Sequence, residues 1–530
     1  MRRWTLLLTL CVAAFAAACS GGGSVPVPPP PVGGFSNADL NGQYAFLMSG
    51  TDAGGFFGRV GVFVADGKGN ITGGIEDVNT GLNGGVTETL SFTNSAYSIQ
   101  ADGRGTLQLI NQTGTLTFSI TLISPSQGFI SETDAIATTS GTFNLQNTSA
   151  FTEASISGSY VFDTSGIATD PNNFFVPDSI VGQIVSNGAR IITSGVFDEN
   201  LGAEFAISPT PIASGTYQLD PVNGSTFGRG TISFGGFNYV FYMVDSTRIR
   251  MIEDSTSALT LGDAVAQNNP PTNDAGFTGS FAFLTGGAGL GGSVTGPDTR
   301  IGRVTANGSG ALSQVTLVDN DNFDAQSVPK GTLSAMTYTL DPNFPGSGRG
   351  ELTFHDSSLG TYEFVFYMIS PTQGVIQDNS VGFVGDGSIL AQTGSPFTNS
   401  NLAGNYALNW SGQSFNSTNR VVAPEDFVGQ VKLTNSASNN LTGSADSSVF
   451  SSNQGVFLDV VLTGNLTIRG DGTNTDPSNP NRNALQVKIN TSPSATVNFS
   501  AYVVNANTMF IAVMDNNTRV VAGVLNRQSK

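Results

Sequence analysis

The chain has 530 residues and an acidic balance, with 21 lysines and arginines against 39 aspartates and glutamates and a net charge of −18. This balance argues against nucleic acid as a partner, because phosphates require a basic face. The only cysteines are Cys11 and Cys19, both near the N-terminus. The body of the chain therefore has no disulfide and no cysteine-ligated metal site. At roughly 100–200 residues per domain, a chain of this length holds three to five domains.

The N-terminal segment has the features of a secretory signal. Two arginines precede an apolar run from Trp4 to Ala18, and Cys19 follows it. The run is too short to span a bilayer comfortably, and a small-residue exit is typical of signal cleavage. We expect residues 1–18 to be the signal peptide. Ordinary cleavage with a free Cys19 is the alternative.

The segment Ala16-Ala17-Ala18-Cys19 resembles the lipobox of bacterial lipoproteins. In that family the cysteine is acylated, so the resemblance implies lipid attachment at Cys19 and a membrane anchor through that lipid. Ser20 after the cysteine implies sorting to the outer membrane, with the protein facing the periplasm or the cell surface. Residues 19–36 are rich in glycine and proline, which predicts an extended tether between the lipid and the folded part.

The rest of the chain contains four diverged copies of one pattern. Each copy opens with an apolar residue, a spacer, a glycine and an alternating strand, and the pattern recurs about every 120 residues. The opening glycines are Gly42, Gly158, Gly279 and Gly404. Period-two alternation places the glycine and the large residues on one face, where a glycine indicates close approach of a backbone or a ring.

Further markers follow in each copy. A glycine-led strand runs into an Asp-Gly or Asn-Gly turn, as after Gly58-Arg59-Val60. A Gly-Arg-Gly segment comes next in three copies, and the fourth keeps the arginine between two asparagines. These arginines are Arg104, Arg229, Arg349 and Arg482. An apolar hairpin and a closing strand complete the copy, and the closing strand ends at Gln146, Gln392 and Gln528 in three copies.

These markers predict an all-β protein with four tandem antiparallel meander domains. Each domain has roughly seven to nine strands, and an up-and-down barrel removes the exposed strand edges. A β-sandwich is the alternative fold. The predicted domain boundaries are 37–147, 148–268, 272–394 and 396–530.

The opening strand and the later arginine loosely resemble lipocalin-type and avidin-type barrels, in which an aromatic residue of the first strand packs under an arginine. The resemblance implies stacking of Arg104 on Tyr44, Arg229 on Tyr160, Arg349 on Phe281 and Arg482 on Tyr406. Exposure of these arginines in a turn is the alternative. The lipobox, tether and repeats together resemble the tandem β-domains of uncharacterised bacterial lipoproteins, which implies no known activity.

The sequence predicts no catalytic, cofactor-binding or metal-binding residues. His355 is the only histidine, so neither a zinc site nor a serine triad is supported. Acidic residues near the apolar hairpins favour pairing with the recurring arginines over glycoside cleavage. They are Glu132, Glu253, Asp254, Asp378 and Asp515. The clusters 319–324 and 471–476 offer oxygen ligands for calcium but fit solvated turns better.

The sequence therefore favours a lipid-anchored envelope or surface protein, without enzyme activity, whose repeats act as spacer and interaction modules. The expected target is a polysaccharide or another envelope protein, because several weak sites on one chain gain avidity. The alternative is a set of barrels that bind a small apolar ligand, favoured by the 36 phenylalanines. The oligomeric state is left open.

Overall fold

The computed structural model describes residues 34–80, 88–92, 94–112, 114–134, 136–202, 209–290, 296–416, 421–436, 439–449, 455–468, 483–490 and 494–530. The predicted signal peptide, Cys19 and Arg482 lie outside these ranges. Strands dominate the described chain, which confirms the all-β prediction. The strands form four successive antiparallel domains, which we name barrels 1 to 4.

Barrel 1 is a meander in which the last strand returns to pair with the first. Its strands are β1 (Asn41–Asp52), β2 (Gly55–Asp66), β3 (Asn70–Asn79), β4 (Glu88–Ser91), β5 (Ser95–Ile99), β6 (Arg104–Ile110), β7 (Thr115–Ser124), β8 (Gln127–Glu132) and β9 (Ala137–Leu145). One half of β3 pairs with β4 and the other half with β5, so β4 and β5 share one position. Pairing of β2 with β3 and of β1 with β9 closes the barrel.

Barrel 2 repeats this arrangement strand for strand. Its strands are β10 (Ser157–Thr169), β11 (Phe175–Asn187), β12 (Ile191–Leu201), β13 (Thr210–Ile212), β14 (Gly215–Leu219), β15 (Arg229–Phe234), β16 (Phe237–Asp245), β17 (Arg248–Glu253) and β18 (Ala258–Ala266). Here β12 pairs with both β13 and β14, and β10 pairs with β11 and β18.

Barrel 3 has the same strand order, but fewer residue pairs join the strands at which it closes. Its strands are β19 (Thr278–Gly289), β20 (Gly296–Asn307), β21 (Leu312–Asp321), β22 (Asp324–Val328), β23 (Leu333–Leu340), β24 (Arg349–Asp356), β25 (Gly360–Ser370), β26 (Gln373–Asp378) and β27 (Phe383–Ala391). β21 pairs with β22, and a single bridge between Ala311 and Thr337 joins the start of β21 to β23.

Barrel 4 is a closed barrel of eight strands, in which no two short strands share one position. Its strands are β28 (Gly404–Asn416), β29 (Val421–Leu433), β30 (Asn440–Val449), β31 (Val456–Thr467), β32 (Asn483–Ile489), β33 (Ala495–Asn505), β34 (Thr508–Val513) and β35 (Arg519–Arg527). Closed meanders in all four copies confirm the barrel prediction over the sandwich alternative.

A short helical turn leads into the first strand of every barrel and covers one end of its interior. These are the 3₁₀ turns Asn37–Asp39, Thr148–Ala150, Glu153–Ser155 and Asp274–Gly276 and the α-helical turn α2 (Asn399–Leu402). One further helical turn, α1 (Gly224–Phe227), lies between β14 and β15 of barrel 2. The apolar residue before each first strand is buried in the barrel core. These residues are Leu40, Ile156, Phe277 and Leu402.

The interior of each barrel is formed by aromatic and branched side chains that alternate along the strands. In barrel 2, Phe162 lies opposite Gly182, where an added Cβ would lie 2.7 Å from the ring. In barrel 1 the same pairing joins Phe46 to Gly61. The glycine marker of this strand is therefore Gly61 and not Gly58, because Gly61 is the position that the phenyl ring covers.

Two of the four opening glycines have a different role from the one predicted. Gly158 and Gly279 adopt φ values of +95° and +97°, and a Cβ on either would meet no atom within 4 Å. The requirement is thus for the backbone conformation, which side-chain-bearing residues rarely adopt, and not for close approach of a ring.

The four barrels contact one another in a ring, through four contact regions that we call seams. Apolar side chains on the outer faces of the strands join barrel 1 to barrel 2 and barrel 2 to barrel 3. A third outer cluster contains residues of barrels 3, 4 and 1. We call the seam between barrels 4 and 1 the closing seam. A head-to-tail contact that closes in this way generates a ring.

Candidate functional site

The recurring arginine of barrel 2 binds an aspartate of barrel 1. Arg229 places Nε 2.7 Å from Asp77 Oδ2 and Nη2 2.9 Å from Asp77 Oδ1, a two-pronged contact across the seam. Its Nη1 lies 2.8 Å from Asp220 Oδ2 within barrel 2. Bidentate pairing of a guanidinium with a carboxylate fixes orientation as well as distance.

The same contact recurs at the seam between barrels 2 and 3. Arg349 places Nε 2.7 Å from Asp198 Oδ2 and Nη2 2.8 Å from Asp198 Oδ1, and both side chains are almost fully buried. At the closing seam, Arg104 Nη1 lies 2.7 Å from Asp459 Oδ1 of barrel 4. Each of these three arginines thus bridges its own barrel to the preceding barrel of the ring.

The predicted stacking of Arg104, Arg229 and Arg349 on the ring of the first strand is wrong. Tyr44 and Tyr160 point into the barrel interior, whereas the arginines point outward into the seams. The alternative of an exposed turn residue is also wrong, because the neighbouring barrel covers the arginine. A stack on the first-strand ring occurs in barrel 4, where Arg527 lies 5.9 Å from the centre of the Tyr406 ring. The predicted partner there, Arg482, lies outside the described residues.

A tyrosine hydroxyl joins each of the two buried ion pairs. Tyr242 donates to Asp77 Oδ2 at 2.5 Å, and Tyr367 donates to Asp198 Oδ2 at 2.7 Å. Burial and the adjacent carboxylate raise the pKa of both tyrosines well above the ordinary value. The hydroxyls therefore stay protonated and act as hydrogen-bond donors.

The glutamine that ends each closing strand binds the next barrel, and this contact occurs at all four seams. Gln146 donates to Met243 O at 2.5 Å and Gln267 donates to Met368 O at 2.9 Å. Gln392 donates to Val503 O of barrel 4 at 2.7 Å. Gln528 returns to barrel 1, where it donates to Asp102 O and Leu122 O at 2.8 Å each. The fourth glutamine, Gln267, completes the set that the sequence pattern found in three copies.

Asparagines of the third strand form a second repeated contact. Asn79 donates to Glu253 O at 2.7 Å, Asn200 donates to Phe383 O at 2.8 Å, and Asn320 donates to Arg519 O at 2.9 Å. In barrel 4 this position is Ser448, whose hydroxyl lies 2.9 Å from Thr138 Oγ1 of barrel 1. Alignment of the third strands is the signal that would have found these residues in the sequence.

The two ends of the described chain meet at the closing seam. Lys530 Nζ lies 2.9 Å from Asp39 Oδ2 and donates to Gly34 O at 2.9 Å. The C-terminal end of barrel 4 therefore lies beside the point where residue 34 leads into barrel 1.

Three of the acidic residues near the apolar hairpins, Glu132, Glu253 and Asp378, have partners other than Arg104, Arg229 and Arg349, which corrects the prediction for these three. Glu132 lies 3.8 Å from Arg59, and Asp378 lies 2.6 Å from Arg300. Glu253 accepts a hydrogen bond from Thr260 at 2.6 Å. They belong to buried polar groups inside one end of barrels 1 to 3. Burial raises the pKa of Glu132 to about 8 and of Glu253 to about 7.

The acidic cluster 319–324, predicted to be a solvated turn rather than a calcium site, is divided in the structure: Asn322 and Asp324 are exposed at the turn between β21 and β22, whereas Asp319 and Asn320 are buried on β21. Asp319 accepts from Tyr362 at 2.9 Å, and Asn320 lies in the seam with barrel 4. His355 lies on β24 with Nδ1 2.9 Å from Thr361 Oγ1. Within the described ranges, no group of three or more acidic, histidine or cysteine side chains is placed to hold a metal ion. The cluster 471–476 lies outside those ranges.

No helix within the described ranges is both long and apolar enough to cross a membrane. The sequence matches no protein-family model, and no curated protein matches it significantly.

Comparison with solved structures finds transferrin-binding proteins B at low similarity. A variant of this protein from Haemophilus parasuis has 11% identity and a TM-score of 0.20, over 76% of this chain and 83% of that chain. The isotype 1 protein from serogroup B Neisseria meningitidis has 10% identity and a TM-score of 0.19, over 76% and 84% of the two chains. Similarity at this level does not bear on the ligand or role of the present chain.

Proposed function

We propose that the protein is a lipid-anchored envelope protein without enzyme activity, in which the four barrels form one rigid interaction platform. The proposed target is a polysaccharide or another envelope protein. The observation that carries the proposal is the ring itself, because repeated glutamine, asparagine and arginine contacts hold four similar surfaces in fixed relation. Fixed, repeated sites on one body gain avidity even when each site is weak.

The ring changes the predicted role of the repeats as spacers. Four barrels in a linear string would extend away from the membrane, but the closing seam brings barrel 4 back to barrel 1. The distance between the membrane and the barrels would then be set by the proposed tether, residues 19–36, which leads into barrel 1 beside the C-terminal end of the chain. The proposed anchor on Cys19 would therefore attach the ring at the closing seam.

The anchor is tested by metabolic labelling with palmitate followed by membrane fractionation. We expect label on the full-length protein and recovery with the outer membrane. The variant Cys19→Ala is the matched control and should lose both label and membrane association. Label that persists in this variant would contradict attachment at Cys19.

Target binding is tested with the purified mature protein on polysaccharide arrays and by cross-linking on intact cells. A platform that acts through avidity should bind immobilised repeating polymers much better than single repeat units in solution. A variant with the closing seam opened, Gln528→Ala, should lose part of this advantage. Equal affinity for polymer and single unit would argue against the platform.

The alternative ligand, a small apolar molecule inside each barrel, gains no support from the barrel interiors. In barrel 3 the ring of Phe277 lies 4.3 Å from that of Phe281 and 4.8 Å from that of Phe366, centre to centre. The protein's own side chains are thus in contact inside the end of this barrel that the helical turn covers. Native mass spectrometry for a co-purifying lipid remains the test of this prediction.

A further inference from the structure

Barrels 2 and 3 have the same interior positions at one end, as the strand register shows. In barrel 2, Thr164 of the first strand pairs with Ile180 of the second. In barrel 3, Thr285 pairs with Arg300 at the corresponding place. Ile180 in barrel 2 is therefore the structural equivalent of Arg300 in barrel 3.

Three carboxylates surround this position in both barrels. The first is an aspartate of the second strand, two residues before Ile180 or Arg300. The second is the acid of the third strand that pairs with Ile180 or Arg300. The third acid is the last residue of β17 in barrel 2 and of β26 in barrel 3, where it pairs with Tyr239 and Phe364 respectively. The equivalent pairs are Asp178 with Asp298, Glu199 with Asp319, and Glu253 with Asp378.

In barrel 3 the three carboxylates hold the guanidinium of Arg300. Its Nη1 lies 2.6 Å from Asp378 Oδ2, and its Nε lies 3.3 Å from Asp319 Oδ1 and 3.5 Å from Asp298 Oδ2. The guanidinium also lies 3.5 Å from the centre of the Phe383 ring. A planar, delocalised cation suits several separate carboxylates together with an aromatic face.

In barrel 2 the acids remain but the arginine is replaced by Ile180. Asp178 is 2% exposed, and its Oδ1 has no hydrogen-bond partner. Glu253 accepts from the Thr260 hydroxyl, and Glu199 is half-buried. Among the residues that the structure describes, none of these three acids forms an ion pair with a basic side chain. A buried carboxylate without a partner must take up either a proton or a cation.

We infer that this end of barrel 2 binds a small organic cation with a guanidinium head, in the place that the head of Arg300 takes in barrel 3. The same carboxylate positions hold a guanidinium in the sister barrel, which sets the chemistry of the ligand. Ile180 ends at Cδ1, so the chain itself supplies no cationic head there.

Titration of the full mature chain with ethylguanidinium tests the inference. We expect saturable binding by calorimetry and a higher melting temperature, because a ligand of the folded state stabilises it. Ethylurea, which is similar in shape but neutral, should have no such effect at matched ionic strength. Glu253→Gln should weaken binding at least roughly tenfold, which is about 1.4 kcal/mol.

Two reciprocal variants sharpen the test. Ile180→Arg supplies an internal guanidinium and should abolish ethylguanidinium binding. Arg300→Ile in barrel 3 should add a second site. The inference is overturned if wild type shows no saturable binding at tens of millimolar, or if Glu253→Gln binds as well as wild type. A melting temperature that responds to lower pH but not to ethylguanidinium would show that protons alone satisfy these acids.

Discussion

The seams between consecutive barrels and the closing seam use the same contacts, although only the consecutive seams are joined by a peptide link. Gln528 repeats at the closing seam what Gln146 does between barrels 1 and 2. The backbone contact after the glutamine also recurs, with Ser529 N donating to Ile123 O at 2.8 Å and Asn147 N donating to Val244 O at 2.8 Å. Seam geometry is thus a property of the barrel surfaces and does not depend on the connecting peptide.

The seams differ in the burial of their ion pairs. Arg349 and Asp198, between barrels 2 and 3, have side chains 2% and 1% exposed. At the closing seam, Arg104 is paired with Asp459, whose side chain is 69% exposed. Solvent screens an exposed pair, whereas a buried pair that loses one partner leaves an unpaired charge. We therefore expect the closing seam to be the weakest point of the ring.

The largest effect is expected from Arg349→Ala, which leaves the buried carboxylate of Asp198 without its cation and with the Tyr367 hydroxyl as its remaining partner across the seam. Loss of one partner from a buried pair costs about 3–5 kcal/mol of unfolding free energy. Urea unfolding monitored by tyrosine fluorescence measures it. Arg190→Ala, which removes an exposed pair with Glu153, is the control and should change the free energy by less than about 1 kcal/mol.

A pH dependence is expected at the seam between barrels 2 and 3. Burial raises the pKa of Asp386 to about 7; the Ser165 hydroxyl donates a hydrogen bond to it, and the buried Asp163 interacts with it across the seam. Since the folded pKa exceeds the unfolded value near 4, the stabilisation is complete below pH 4 and is lost as pH rises through 7.

Hydrogen exchange at that seam as a function of pH measures this effect, which amounts to at most about 1.4 kcal/mol per pH unit. Asp386→Asn should reduce the pH dependence of hydrogen exchange at this seam. The closing seam holds a buried carboxyl of its own, Asp426 beside Ser448, whose pKa burial also raises, so the control is the seam between barrels 2 and 3 in wild type and in Asp386→Asn. An unchanged slope in Asp386→Asn would contradict the assignment to Asp386.

A smaller effect is expected from Gln528→Ala, which removes two hydrogen bonds of the closing seam. Burying carbonyls without their donor costs about 1–3 kcal/mol. We expect faster hydrogen exchange near Asp102 and Leu122 while the other seams stay protected. Gln146→Ala is the matched variant at a linked seam, where the connecting peptide should limit opening. Equal opening in both variants would show that the peptide link adds nothing.

The smallest effect is expected from Arg104→Ala, because its partner Asp459 is largely exposed. An exposed pair contributes about 0–1 kcal/mol, and the contribution falls with salt. Thermal unfolding at low and high salt measures it. A loss as large as that of Arg349→Ala would show that the closing seam is as strong as the others.

Much of the fold was predictable from local patterns. The repeat, the strand alternation and the Asp-Gly and Asn-Gly turns are local features, and they correctly predicted four antiparallel barrels. The Gly-Arg-Gly segments were recognised, but the direction of their arginines was not. The reason is that period-two alternation separates two faces of a strand without saying what covers the outer face.

The candidate site could likewise not be predicted from local patterns alone. Arg300 and Ile180 occupy equivalent interior positions, but this becomes visible only when strand register aligns Asp178 with Asp298 and Glu253 with Asp378. The acids of the second and third strands keep the same spacing in both barrels, but an insertion after the third strand shifts the third acid, so that Glu253 corresponds to Asp378. The carboxylates of one site come from three strands, so their spacing along the chain carries no recognisable motif.

By itself, the sequence determined the all-β class and the four copies, because alternation and turn chemistry act over a few residues; it favoured barrels but left the β-sandwich open. Only the tertiary structure decided that the barrels form a ring and that Arg229 and Arg349 are buried between them. The physical reason is that both faces of a strand become interior when a second barrel covers the first. That covering depends on surfaces brought together from distant parts of the chain.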